Sequence, residues 1–148
     1  MAIVQCIPDS MLLAFTSKTM DFAAGADVFY VALYDNTASL GTSTTAYTAT
    51  GEVTGTGYTA GGILLQQNVT PVVSSNQVLF DWQDETTAAL TLGSAVVGAM
   101  IYNSTVSNAA VAILKFTTPL TVTAGKALNL VFPGVTTTSA VMRLRQVS

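Results

Sequence analysis

The feature that most constrains the fold is a succession of short segments rich in Val, Ile, Thr and aromatic residues, broken by Gly, Asn, Asp and Ser at intervals of about ten residues. In residues 28–34 both alternating sets of side chains are apolar, which predicts a central strand buried on both faces. Further strands are predicted at residues 69–73, 77–82, 88–92, 95–102, 110–116, 120–123, 127–132 and 140–145. The pattern predicts an all-β, antiparallel fold, and we expect a jelly-roll-like β-sandwich.

One segment before the strands has helical character. Residues 8–18, PDSMLLAFTSK, offer Asp9 or Ser10 as an N-cap, with apolar side chains following on one side. The same residues suit an extended arm. A chain of 148 residues can bury one core. We therefore expect a short N-terminal arm or helix at residues 1–26 and a single β-sandwich domain at residues 27–148.

The chain is poor in charge. Hydrophobic residues make up 50% of it and charged residues only 9%, against about 25% in an ordinary soluble domain. Low charge with exposed apolar area favours association with partners. The net charge of −3 and five scattered cations argue against nucleic-acid binding, and no apolar run reaches the ~20 residues of a membrane span. We expect neither nucleic acid nor membrane as a partner.

The sequence offers little for catalysis. It has no histidine and one cysteine, Cys6, which excludes His-dependent triads, His- or Cys-ligated metals and an intrachain disulfide. Asp81, Asp84 and Glu85 in FDWQDETT could bind calcium or form an acid–base pair, but their placement favours a turn. Trp82 and the tyrosines suit core packing better than a sugar-binding platform. We expect no enzyme, no cofactor and no metal.

Residues 45–65, TAYTATGEVTGTGYTAGGILL, are the most distinctive segment. They match neither a P-loop nor a dinucleotide-binding turn, because they contain no lysine and β-forming residues follow them. The physical alternative is an extended loop in which glycines adopt positive φ at bends while Tyr47, Val53 and Tyr58 bury their side chains. The glycines in question are Gly51, Gly55, Gly57, Gly61 and Gly62.

This segment also carries a family resemblance. The stretch VFYVALYDNTASLGTSTTAYTATGEVTGTGYTAGGILL, with FDWQDETT, GAMIYNSTVSNAAVAILKF and the closing LVFPG and AVMRLR, resembles a family of small virion proteins of tailed bacteriophages. The similarity spans about residues 27–145. It is most specific at Tyr47, Glu52, Gly55, Gly57, Tyr58, Gly61 and Gly62. The chain departs from the family at Lys115, where an acidic residue is usual, and at its N-terminus.

The resemblance implies a structural virion protein that is made in the host cytoplasm and decorates or cements the phage head. Such proteins are trimers placed over junctions between subunits of the major capsid protein. We expect residues 2–22 and the loop at 47–62 to make these contacts, because both carry apolar side chains that the sandwich does not need. The interface candidates are Met11, Leu12, Phe15, Phe22, Tyr47, Glu52 and Tyr58. A tail-associated adaptor or fibre-base protein and a carbohydrate-binding host-recognition module remain alternatives.

Overall fold

The computed structural model describes residues 2–23, 25–74, 77–134 and 142–145. These ranges form a helix, α1 (Asp9–Ser17), and the strands β1 (Phe29–Tyr34), β2 (Gly55–Thr56), β3 (Ile63–Leu65), β4 (Gln67–Ser74), β5 (Gln77–Trp82), β6 (Glu85–Thr86), β7 (Thr91–Leu92), β8 (Val96–Asn103), β9 (Ala109–Leu120), β10 (Asn129–Leu130) and β11 (Met142–Arg145). Every pairing between these strands is antiparallel. The predicted all-β, antiparallel class is therefore confirmed.

The largest sheet has the order β3-β1-β8-β9. β1 lies inside it, as the two apolar faces of residues 28–34 predicted, and pairs with β3 on one side and β8 on the other. Its residues Phe29, Val31 and Leu33 belong to one buried cluster, while Ala32 and Tyr34 belong to a second cluster. The sheet is thus covered on both faces.

A second sheet, with the order β11-β5-β4, contributes to the first of these clusters. The rings of Phe29 on β1 and Trp82 on β5 meet edge to face at 5.5 Å. Phe22, which follows α1, stacks on Phe29 at 5.1 Å and lies 4.4 Å from the ring of Phe80. Aromatic rings from both sheets and from the N-terminal segment therefore pack in one core.

The N-terminal segment also covers the outer edge of β9. Cys6 and Ile113 exchange two main-chain hydrogen bonds, with N···O distances of 3.1 and 2.9 Å. Ile3 packs into the second cluster beside Leu40. The residues predicted as a separate arm therefore share the core with the strands.

Several elements differ from their predicted bounds. The N-cap of α1 is Pro8, not Asp9 or Ser10, and no side chain caps the helix, because Asp9 already lies within its first turn. The strands predicted at 88–92 and 127–132 shrink to two residues each, and residues 121–123 form no strand. Isolated hydrogen bonds hold these segments instead, such as the one from the Leu92 N–H in β7 to the Val122 carbonyl at 3.0 Å. Parts of the turn predicted at 74–77 and of the strand predicted at 140–145 lie outside the described residues.

We predict that Gly62→Ala destabilises the fold far more than Gly125→Ala. Both glycines have positive φ, +92° and +77°, so both variants suffer the same backbone strain. A Cβ at position 62 would overlap the carbonyl of Val31 on β1, whereas nothing lies within 4 Å of one at position 125. Urea denaturation should show a loss of about 1 kcal/mol for Gly125→Ala and of at least about 3 kcal/mol for Gly62→Ala. Equal losses would contradict the packing of this loop against β1.

Candidate functional site

The carboxylate of Glu52 is the centre of the distinctive loop. Its Oε2 accepts a hydrogen bond from the Tyr47 hydroxyl at 2.6 Å, and its Oε1 accepts from the Tyr58 hydroxyl at 2.8 Å and from the Gly61 N–H at 2.9 Å. Residues that are up to fourteen positions apart in the loop are thereby held to one side chain. Hydrogen bonds to an ionised carboxylate are stronger than those between neutral groups.

The same loop completes the edge of β1 beyond the end of β3. The Val53 N–H donates to the Leu33 carbonyl at 2.9 Å. The Leu33 N–H donates to the Tyr58 hydroxyl at 3.0 Å, so this hydroxyl accepts from β1 while it donates to Glu52. A tyrosine side chain therefore takes the place of a neighbouring strand.

Glycines shape the loop in two different ways. Gly51, Gly57, Gly61 and Gly62 have positive φ, as the sequence predicted. Gly55 does not, so the prediction of positive φ there is wrong. It is needed because a Cβ would overlap the carbonyl of Thr91, against which β2 pairs with β7. Close backbone approach, rather than a left-handed bend, requires glycine at this position.

Three further tyrosines surround the loop. The Tyr102 hydroxyl donates to the Gly61 carbonyl at 2.7 Å, and the Tyr34 hydroxyl donates to the Thr48 carbonyl at 2.6 Å. The ring of Tyr102 stacks between those of Tyr47, at 4.8 Å, and Tyr30, at 5.8 Å. We call the whole group the tyrosine–glutamate cluster; its members are Tyr30, Tyr34, Tyr47, Glu52, Tyr58 and Tyr102. All five tyrosines of the chain belong to it.

The environment keeps the phenols protonated. Burial, followed by the hydrogen bond to Glu52, raises the pKa of Tyr47 to about 12. Burial, with the Glu52 charge as a further cause, also raises the pKa of Tyr34, Tyr58 and Tyr102 above the ordinary value. Protonated phenols donate to the carboxylate and to carbonyls. The cluster therefore acts as a hydrogen-bonded clamp that fixes the loop on the sheet.

The interface candidates of the N-terminal segment occupy different environments. Met11 is 0% exposed and Phe22 is 9% exposed, so the expectation that the core does not need them is wrong. Phe15 is half-buried against the same core, whereas Leu12 is exposed. Leu13 is even more exposed than Leu12, yet the sequence prediction missed it. The signal for Leu13 was the unbroken MLLAF run. Adjacent residues of a helix point in different directions, so when Met11 faces the core the leucines that follow it turn toward solvent.

The acidic residues of FDWQDETT accept hydrogen bonds from different backbone N–H groups; Asp81 lies within β5, Asp84 after it and Glu85 at the start of β6. The Asp81 carboxylate accepts from the Trp82 N–H at 2.9 Å, Asp84 from the Phe132 N–H at 2.8 Å and Glu85 from the Gln66 N–H at 3.3 Å. Burial, and then the charge of Asp84, raises the pKa of Asp81. Among the described residues no group of three or more Asp, Glu, His or Cys side chains is placed to hold a metal ion.

The structure does not present Trp82 as a surface platform for sugar. Its side chain is buried among phenylalanine rings, including Phe29 at 5.5 Å and Phe132 at 5.9 Å. Four tyrosine hydroxyls, those of Tyr34, Tyr47, Tyr58 and Tyr102, are bonded to groups of the loop rather than aligned on an open face. The aromatic residues therefore serve packing and loop anchorage.

Comparison with known proteins adds no relative. No protein-family model, no curated protein and no solved structure matches the chain. Within the described ranges, no helix is long and apolar enough to cross a membrane. The resemblance to phage virion proteins therefore stays a hypothesis, and function has to be argued from the geometry of the chain itself.

We predict that Glu52→Gln destabilises the fold by about 1–3 kcal/mol, because the amide nitrogen would face a hydroxyl donor and an acceptor oxygen would be lost. Glu85→Gln is the matched control, since the one bond that Glu85 accepts among the described residues is long, at 3.3 Å, and the variant should lose less than about 0.5 kcal/mol. Urea denaturation at pH 7 measures both. Indistinguishable midpoints for the two variants would show that Glu52 does not organise the loop.

We also predict that the protein unfolds as its tyrosines ionise. The folded-state pKa values of Tyr34, Tyr47, Tyr58 and Tyr102 are raised, so their contribution to stability is complete below the unfolded pKa of about 10 and is lost as pH rises through the folded values. Absorbance at 295 nm should show less tyrosinate at pH 11 than in guanidinium-unfolded protein. Identical titration curves, with near-ultraviolet dichroism retained, would contradict the clamp.

Proposed function

We propose that the protein is a structural component of a tailed-bacteriophage virion, a decoration or cement protein on the outer surface of the head. In this role it binds at junctions between subunits of the major capsid protein and stabilises the shell. The observation that carries the proposal is an exposed apolar surface on the N-terminal segment of a chain with few charges. Shell binding needs complementary surface and no reacting group.

The large apolar side chains exposed on the N-terminal segment are those of Val4, Leu12 and Leu13. Leu12 is 51% and Leu13 is 68% exposed, although the neighbouring Met11 is fully buried. Only 9% of the chain is charged, so electrostatic repulsion between such a surface and other proteins is weak. Exposed apolar groups gathered on one segment favour contact with another protein.

The clamped loop supports the same role. A protein that only binds gains affinity when its surface is already ordered before contact. Glu52 and its tyrosine donors fix the loop on β1, so the loop would dock without further ordering. We propose that the two main sheets, which share the core around Phe29 and Trp82, form a jelly-roll-like sandwich that carries this loop.

We further propose that the protein assembles as a homotrimer. Closed cyclic symmetry lets identical copies bury the same surface without forming open filaments. A trimer also matches the three-fold junctions of a shell. The exposed apolar residues of the N-terminal segment are available both for contacts between copies and for contacts with the shell.

We predict that Leu13→Glu lowers occupancy on phage heads at least tenfold, because a charge would have to be buried in the contact. Val131→Glu is the control, since Val131 is 73% exposed and lies outside the N-terminal segment. Both variants should fold normally. Purified protein is mixed with heads that lack it, and bound protein is measured after sedimentation.

A cryo-EM map of the intact virion decides the location. Regularly spaced density over the head lattice is the expected result. Density confined to a ring on the tail would contradict the proposal and favour a tail adaptor or fibre-base protein. Equal head occupancy for Leu13→Glu and the unaltered protein would remove Leu13 from the interface.

A further inference from the structure

The N-terminal segment is bound to the body through its backbone and through buried apolar side chains. We call residues 2–17 the strap. Its Val4 N–H donates to the Leu40 carbonyl at 2.9 Å, and the Leu40 N–H donates to the Ala2 carbonyl at 3.1 Å. Cys6 exchanges two bonds with Ile113 on β9. The strap thus lies as an added strand between β9 and the loop that contains Leu40.

Two apolar side chains also hold the strap in its binding site on the body, which we call the seat. Ile3 packs in the buried cluster with Met100 and Ile113, and Met11 packs in the main core. The seat is built by β8, β9 and the loop at Leu40, none of which belongs to the strap. A strap from a second copy would therefore find the same hydrogen bonds and the same apolar contacts there.

A short connection links the strap to the body. α1 ends at Ser17, and its C-cap residue Lys18 adopts the left-handed conformation at φ 53°, a costly one for a residue with a side chain. Residues 19–22 form neither helix nor strand, and Phe22 is then held by Phe29 and Phe80. Met20 packs against the main core and the Asp21 N–H donates to the Asp27 carboxylate at 2.7 Å, so Lys18 and Thr19 form the hinge between the strap and the body. Straightening the hinge would remove the strain at Lys18.

The large apolar side chains that the strap exposes are those of Val4, Leu12 and Leu13. Asp9 is the only charged residue of the strap, so two copies meet there with little repulsion. When the strap of one copy sits on another, these exposed side chains are available for additional contacts between the two copies.

We propose that copies of this chain exchange their straps, so that residues 2–17 of one copy pair with β9 and Leu40 of the next. The partner is a second copy of the chain, recognised by main-chain pairing and by the seats for Ile3 and Met11. The exchange deepens the proposed function, since it rests on the homo-oligomer proposed there. It gives that oligomer an interlocked interface rather than a simple surface contact.

The native Cys6 allows a direct test. Cys6 lies opposite Ile113 in an antiparallel pair, a spacing that a disulfide can bridge, so Ile113→Cys should crosslink to Cys6 under mild oxidation. If straps are exchanged, non-reducing electrophoresis shows covalent oligomers and peptide mass spectrometry identifies the 6–113 link. Val131→Cys is the control for random collision and should give at least tenfold less oligomer. A 6–113 link found only within single chains would overturn the exchange.

A second measurement uses the unaltered chain. Unlabelled and ¹⁵N-labelled protein are unfolded together, refolded and treated with a short thiol-to-amine crosslinker that joins Cys6 of the strap to Lys115, two residues beyond Ile113 on β9. Exchange predicts that about half of these links join a light to a heavy chain in an equal mixture. Links confined to light–light and heavy–heavy pairs would contradict it. Head binding by protein with unexchanged straps would overturn the exchange alone, whereas exchanged straps without head binding would overturn the proposed function alone.

Discussion

The hydrogen bonds to the Glu52 carboxylate are the interaction on which the rest of the structure depends. They close the loop between Tyr47 and Gly61, and through Tyr58 they complete the edge of β1 at Leu33. This edge belongs to the central strand of the largest sheet, which is buried on both faces. The chain has few charges. One carboxylate that accepts hydrogen bonds from neutral donors stabilises this loop, a role that ion pairs have in other proteins.

The sequence predicted those parts of the fold that local pattern decides. β1, β5 and β8 lie within one residue of their predicted bounds. Their long alternation of apolar side chains leaves little choice of which strand face packs against the core. β7 and β10 were predicted too long, because two-residue pairings depend on distant loops. The glycines that the loop requires were predicted. Gly55, however, is required for close backbone approach and not for positive φ. Tyr47, Glu52 and Tyr58 were singled out, but Tyr34 and Tyr102 were missed, because contacts between distant segments leave no sequence spacing to read.

In the N-terminal segment, too, contacts between distant residues could not be predicted from the sequence. A helical pattern identifies apolar residues but not the surface that covers them, so Met11 and Phe22 were expected at an interface and lie in the core. Leu12 and Leu13 remain outside. The molecule therefore joins a rigid, clamped body to a segment that is half core and half exposed surface. That division supports the proposal that the protein binds neighbouring subunits of a shell.

Native-state hydrogen exchange tests the clamp most directly. The amide of Gly61 is bonded to Glu52 and that of Leu33 to the Tyr58 hydroxyl, so their protection depends on side chains and not on a strand ladder. If the clamp holds the loop on the sheet, both amides exchange only through global unfolding, with the same opening free energy as the amides of β1 and β8. Exchange of Gly61 at the rate of an open turn, while β1 and β8 stay protected, would contradict it.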